Sequence, residues 1–165
     1  KKDSSNLVGR KILDSEEALD HFYLNESAYT IFNKDKIHRP RNPEIYKAPY
    51  VLFKKGLDCA DYSIRAVYTE SDFLYRETIN CIKGSEKDKK TLLNLCGLLN
   101  SSLFSYFNLM LGSSTGIERE QIFLEELGNY PYVYNDELVE LVEKMQREEW
   151  GKNRNELQVA LNQAL

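Results

Sequence analysis

Pro49-Tyr50-Val51-Leu52-Phe53-Lys54-Lys55-Gly56 opens on a proline, runs through four apolar residues and closes on two lysines and a glycine. A run this short, rich in aromatic and branched side chains and bounded by turn residues, reads as a β-strand. Downstream, Tyr62 to Tyr68 alternates, with Ile64, Ala66 and Tyr68 on one face and Ser63, Arg65 and Val67 on the other. Phe73-Leu74-Tyr75 is compatible with more than one state. Thr78 to Ile82 is again rich in strand formers and closes at Lys83-Gly84. The hairpin-like spacing of these segments predicts a small, mostly antiparallel sheet.

After the sheet the pattern turns helical. Ser85-Glu86-Lys87-Asp88 opens a segment carrying Leu92, Leu93, Leu95, Leu98 and Leu99. It pauses at Asn100-Ser101-Ser102 and resumes with Leu103, Phe104, Tyr106, Phe107, Leu109 and Met110. Apolar residues go nearly all the way round, which predicts a buried helical region. Gly112 to Gly116 ends it, with at least one positive φ expected there. Gln121 to Leu127 reads as a short element leading to a strand or loop at Tyr130-Pro131-Tyr132-Val133. Asp136 then caps an amphipathic helix with Leu138, Leu141, Val142 and Met145 on one side, ending near Trp150-Gly151, and Asn153 to Leu165 is again helical.

Upstream of the sheet, Asp14-Ser15-Glu16-Glu17 supplies a helix cap and first-turn acids for a helix through Ala18, Leu19, Phe22, Tyr23 and about Leu24. Pro40, Pro43 and Pro49 keep the stretch from Asn33 to Pro49 extended or turning. The expectation is an α+β fold: a small, mostly antiparallel sheet against a buried Leu-rich helical layer, with an amphipathic C-terminal helix. We divide it into a main domain, 1–135, and a C-terminal helical segment, 136–165, expected to be truncated.

Composition narrows the function. The chain has 165 residues, 42% hydrophobic and 29% charged, which suits one soluble domain with a real core. No run of apolar residues is long enough to span a membrane. The start, Lys1-Lys2-Asp3-Ser4-Ser5, has neither initiator Met nor signal core, as expected of a piece cut from a longer protein. Cys59, Cys81 and Cys96 form no metal-binding spacing, and an odd, scattered set favours reduced thiols and a cytoplasmic location. His21 and His38 are the only histidines, so histidine or metal chemistry has little to work with. The net charge of −4 hides a division. From Lys34 to Lys55 seven bases face two acids, and from Glu118 to Glu149 ten acids face three bases.

Three motifs invite a catalytic reading. Gly112-Ser113-Ser114-Thr115-Gly116 matches G-x-S-x-G, but a helix precedes it and no His follows it. Asn129-Tyr130-Pro131-Tyr132 is similar to the Asn-Pro-Pro-Tyr motif of amino-group DNA methyltransferases, but its second position is Tyr and no glycine-rich cofactor loop lies upstream. Asp58 and Asp61 lie where a nuclease places a metal-binding acid, but no Glu-x-Lys follows. No catalytic residue and no metal ligand is assigned. The basic stretch has a clearer use, because Lys and Arg on proline-stiffened backbone reach phosphates and base edges. The ordinary alternative is a solvated charged loop.

Pro49-Tyr50-Val51-Leu52-Phe53-Lys54, then Leu98-Leu99-Asn100-Ser101-Ser102-Leu103-Phe104-Ser105-Tyr106-Phe107, then Ser113-Ser114-Thr115-Gly116-Ile117-Glu118-Arg119-Glu120-Gln121-Ile122, then Tyr130-Pro131 occur in that order. Together they resemble the TaqI-like specificity region that follows the catalytic domain in N6-adenine DNA methyltransferases and fused restriction-modification enzymes, over about residues 40 to 133. The resemblance implies a non-catalytic, sequence-specific reader of double-stranded DNA from a bacterial enzyme. S-adenosylmethionine would belong to the parent's N-terminal methyltransferase domain and not to this fragment, and a restriction subunit is a further possible partner. The DNA-binding candidates are Arg39, Arg41, Lys47, Lys54, Lys55, Arg65, Ser113, Ser114 and Arg119, with internal pairing to acids such as Glu120 left open for Arg119. The alternative is a protein-interaction domain that docks a partner subunit or the parent's catalytic domain through the helix from Asp136 to Trp150.

Overall fold

A computed structural model describes residues 1–13, 18–58, 61–114, 116, 121–147 and 154–165. Its strands are β1 (Lys2–Asp3), β2 (Lys11–Leu13), β3 (Tyr29–Ile31), β4 (Lys36–Ile37), β5 (Tyr50–Lys54), β6 (Ala66–Thr69) and β7 (Ile79–Lys83). Its helices are α1 (Lys89–Leu99), α2 (Ser102–Leu111), α3 (Leu124–Leu127), α4 (Asp136–Arg147) and α5 (Arg154–Gln163). The fold is α+β, as the pattern predicts.

β5 is the centre of the main sheet. It pairs antiparallel with β6 on one side (Tyr50 opposite Thr69, Phe53 opposite Ala66) and with β7 on the other (Tyr50 opposite Lys83, Lys54 opposite Ile79). Tyr50, Val51, Leu52 and Phe53 are all fully buried. The continuous apolar run is therefore explained by cover on both faces of the sheet. Val51, Phe53, Ile64, Ala66 and Tyr68 enter one core with α1, α4 and α5. Tyr50, Leu52, Val67 and Ile79 enter a second core with Leu7, Leu13, Tyr46, Phe73, Leu74 and Tyr75. The alternation of Ile64, Ala66 and Tyr68 against Val67 thus separates two packed faces, not core from water. The N-terminal layer is tied by short antiparallel ribbons, β1 with β4 and β2 with β3. Phe73-Leu74-Tyr75 joins it through a parallel bridge from Leu74 to Ile12.

The first expected helix does not form in its described part, residues 18–24; its capping residues, 14–17, lie outside the described residues. Leu19 and Leu24 instead form an antiparallel bridge around a tight bend, and Asn25 N–H donates to the Ala18 carbonyl at 2.8 Å. Phe22 takes a φ of 57° there, and its N–H donates to the Ala66 carbonyl at 3.0 Å. Edge strand β6 thereby gains a partner, and tertiary hydrogen bonding overrides helical spacing. Ala18, Leu19 and Phe22 are buried all the same.

Ser85 opens the helical layer through a reciprocal capping box with Asp88 and a 3-10 turn, Glu86–Asp88. α1 buries Leu92, Leu93, Cys96, Leu98 and Leu99. Ser101 caps α2, its Oγ accepting from Phe104 N–H at 3.1 Å. The buried-helix expectation fails for α2. Phe104, Ser105 and Asn108 are covered, but Leu103, Tyr106, Met110 and Leu111 are 43–65% exposed, because neighbouring elements reach only one side of it. α4 is amphipathic as expected and buries Leu138, Val139 and Val142. Its cap is Asn135, not Asp136, since Asn135 Oδ1 accepts from Glu137 N–H at 2.9 Å. The expected end near Trp150-Gly151 lies outside the described residues.

Asn100, at the pause between α1 and α2, joins the layers. Its Oδ1 meets His21 Nδ1 at 2.9 Å and accepts from Ala66 N–H at 3.2 Å. Its amide donates to the Ala66 and Cys96 carbonyls, both at 2.8 Å. Because Oδ1 only accepts, His21 Nδ1 carries a proton, leaving Nε2 to face Ser63 Oγ at 3.2 Å.

Candidate nucleic-acid interface

The N-terminal layer supplies a cleft of about 290 Å³ between its ribbons and residues 74–77, which precede β7. Ile12, Phe32, Ile37, Leu74 and Tyr75 give it an apolar floor. Lys34, Arg39, Arg41 and Arg76 line it with positive charge, and Glu77 adds a single carboxylate. Arg39 and Arg41 share this cleft, as their spacing across Pro40 predicts. Asn42 holds the next turn: its Oδ1 accepts from Glu44 N–H at 3.0 Å, with Pro43 preset at the first position of the 3-10 turn Pro43–Tyr46. Tyr75 is a fixed platform. Its hydroxyl donates to the Ile45 carbonyl at 3.0 Å, and its ring packs edge-on against Tyr46 with centroids 5.1 Å apart. The Arg41 guanidinium lies 6.0 Å from the Tyr75 ring centre, at the range of a cation–π contact.

Tyr46 also lines a second depression, with Arg10, Lys11, Lys47 and Asp72. Lys47 is paired there with Glu44 at 2.9 Å, and both side chains are exposed. The hydrogen bond from Lys47, then its charge, holds the Glu44 carboxyl below its ordinary range, with smaller help from Lys83 and Arg10. Lys83 Nζ also donates to the Glu44 carbonyl. The two hollows thus form one basic surface, whose embedded acids include Glu44, Asp72 and Glu77.

The remaining candidates divide. Lys54 and Lys55 lie at the end of β5, away from Lys47. Lys55 Nζ sits 5.7 Å from the Phe123 ring centre, and its backbone joins Thr78 and Ile122. Arg65 points to two acids, Asp58 in a direct ion pair and Asp20 at 3.7 Å, with about a third of its side chain exposed. Ser113 is exposed and its N–H donates to Glu126 at 3.2 Å. Ser114 is buried, and its Oγ accepts from Gln121 N–H at 2.8 Å while donating to the Gln121 carbonyl. Gly116 has the expected positive φ, 79°. Arg119 lies outside the described residues.

The catalytic look-alikes have structural occupations. Ser114 clamps its own loop. In Asn129-Tyr130-Pro131-Tyr132, the Tyr130 ring packs on Phe104 at 4.7 Å and its hydroxyl meets Asn108 Oδ1 at 2.9 Å. Asp58 pairs with Arg65, and Asp61 accepts from Ser63 N–H at 2.9 Å. Among the described residues no cluster of three or more His, Cys, Asp or Glu is placed to hold a metal, and no helix is long and apolar enough to cross a membrane. Sequence reading missed Arg10, Lys11, Arg76 and Lys83. Arg10, Lys11 and Arg76 sit in short ribbons and turns and Lys83 at the end of β7, with no charge run to mark them, and only tertiary pairing brings them together.

The family model for the TaqI-like C-terminal specificity domain matches residues 10–132. The match reaches further toward the N-terminus than the motifs at 40 to 133, and takes in ribbon β2–β3, which walls the basic cleft. No curated relative matches the chain.

Proposed function

Since the chain belongs to the family of TaqI-like C-terminal specificity domains, we propose that it is the sequence-specific double-stranded DNA reader of a bacterial adenine DNA methyltransferase or fused restriction-modification enzyme. In this reading it carries no catalytic centre, and S-adenosylmethionine is held by the methyltransferase domain of the same parent chain. The observation that carries the reading is the basic surface through Lys34, Arg39, Arg41 and Arg76, continued by Arg10, Lys11 and Lys47. It lies on the layer across the sheet from acidic α4. Phosphate contacts there set register, and a few side chains read base edges. The salt dependence of duplex binding tests it. The double variant Arg39→Ala/Arg41→Ala should flatten the slope of log K against log salt by roughly 1.8, about 0.9 per lost phosphate contact. An unchanged affinity and slope on target and non-target duplexes removes this surface from the interface.

A second reading, docking to a partner subunit or to the parent's catalytic domain, is supported by the uncharged α2 face of Leu103, Tyr106, Met110 and Leu111. It is less well supported by α4, whose Leu138 and Val142 are already fully buried within the chain's own core.

A further inference from the structure

We propose that the basic cleft is a pocket for one unpaired nucleotide, taking the base on its floor and the phosphate on its rim. The proposal rests on the DNA-reading function above and goes beyond it, because a groove of paired duplex has no need of such a hollow. The cleft is concave and holds about 290 Å³. That is near the lower end of ligand pockets, roughly 300–1,000 Å³, and excludes a double helix. Its floor of Ile12, Phe32, Leu74 and Tyr75 is apolar and partly aromatic, suited to a base removed from its stack. Tyr75 is prevented from swinging away by its hydrogen bond to the Ile45 carbonyl and its edge-on contact with the Tyr46 ring. Arg39, Arg41, Lys34 and Arg76 ring the floor with donors of the kind that hold a phosphate.

The lining also selects among bases. Glu77 is the only carboxylate among the described residues that line it. A carboxylate accepts hydrogen bonds and donates none, so it suits the exocyclic amino group of adenine, cytosine or guanine and opposes the carbonyl-rich edge of thymine. The ligand chemistry is thus an amino-bearing base with its 5′-phosphate. It could be presented by a free nucleotide or by an unpaired residue in a DNA strand.

Titration of the 165-residue chain, followed through its backbone amide NMR signals, tests the proposal. The probes are dAMP, dCMP, dTMP, deoxyadenosine, inorganic phosphate, a fully paired duplex and the same duplex with one bulged adenine. Shifts at Phe32, Leu74 and Tyr75 with dAMP and dCMP support the site, provided that deoxyadenosine and phosphate alone bind at least tenfold more weakly. Glu77→Gln should bring dTMP to within a fewfold of dAMP. A bulged duplex at least tenfold tighter than the paired one assigns the pocket to DNA, and equal duplexes with tight dAMP assign it to a free nucleotide. Thr30→Trp, which fills the cleft from its wall, should abolish dAMP binding. If paired duplex binds and no nucleotide shifts these amides, the pocket is refuted and the DNA-reading function stands. If no nucleic acid binds, both fall.

Discussion

Gly97 on α1 lies directly beneath Leu138 on α4. A Cβ at Gly97 would come within 2.8 Å of Leu138 Cδ1 and 2.9 Å of Val142 Cγ2. Both partners are fully buried. The two helices can pack at this distance only because position 97 has no side chain. Gly97→Ala should therefore destabilise the chain by about 1–3 kcal/mol through overpacking, despite alanine's better helix propensity. Urea unfolding measures it. Leu138→Ala added to Gly97→Ala should cost less than the two changes separately. A stabilised Gly97→Ala protein would show that the helices yield freely.

Asn100 should be among the most sensitive polar positions. Asn100→Ala removes the Asn100 hydrogen bonds to Ala66 N–H and His21 Nδ1. An unsatisfied buried group costs about 1–3 kcal/mol, so a total of about 3 kcal/mol is expected. Asn100→Asp should be nearly as damaging at neutral pH, since a carboxylate there faces the Ala66 and Cys96 carbonyls. Its charged form is disfavoured in the fold, so its folded pKa is raised and stability returns as pH falls through it. Thermal melts at two pH values separate this from simple loss of packing, which would be indifferent to pH.

The legible parts of the sequence were those with a local cause. The strands at Tyr50, Ala66 and Ile79, the capping at Ser85 and the positive φ at Gly116 follow from side-chain period, caps and glycine. The bend at 18–24 did not, because its cause is the open edge of β6, far along the chain. The exposed face of α2 was hidden for a similar reason: apolar composition says what a helix can bury, not what its neighbours cover. At the candidate site, Arg39 and Arg41 were legible from a proline-stiffened charge run. Arg76 and Arg10 were not, since ribbon pairing alone brings them to the same surface.

Arg65 separates a structural cation from a DNA contact. Its alternating position on the strand approach points it toward Asp58 and Asp20. Arg65→Ala should remove the guanidinium shared by Asp58 and Asp20 and lower stability by about 1–2 kcal/mol. Duplex affinity and its salt slope, measured well below the melting transition, should stay as in the parent chain. Loss of slope with an unshifted melt would instead move Arg65 to the DNA interface.

Glu44 masks Lys47, one of the proposed phosphate contacts. It holds Lys47 at 2.9 Å, and its carboxyl is kept below its ordinary range by the Lys47 hydrogen bond and charge, then by Lys83 and Arg10. The group is on the surface, so the pair adds little to folding. What stability it adds is present above the unfolded-state pKa and is lost as pH falls through the lower folded pKa. Glu44→Gln removes one negative charge from the basic surface wherever Glu44 is ionised, neutral pH included, and frees Lys47 for a phosphate. Duplex binding at low salt should tighten, and the slope of log K against log salt should steepen by up to about 0.9, the value for one added contact. Unfolding free energy should be nearly unchanged, because the pair lies on the surface. Lys47→Ala alone should weaken binding only slightly, because the lysine is already engaged, but should cancel the gain when combined with Glu44→Gln. That non-additivity is the decisive reading. If Glu44→Gln tightens binding equally with or without Lys47, the effect is one of general charge, and Lys47 does not touch DNA.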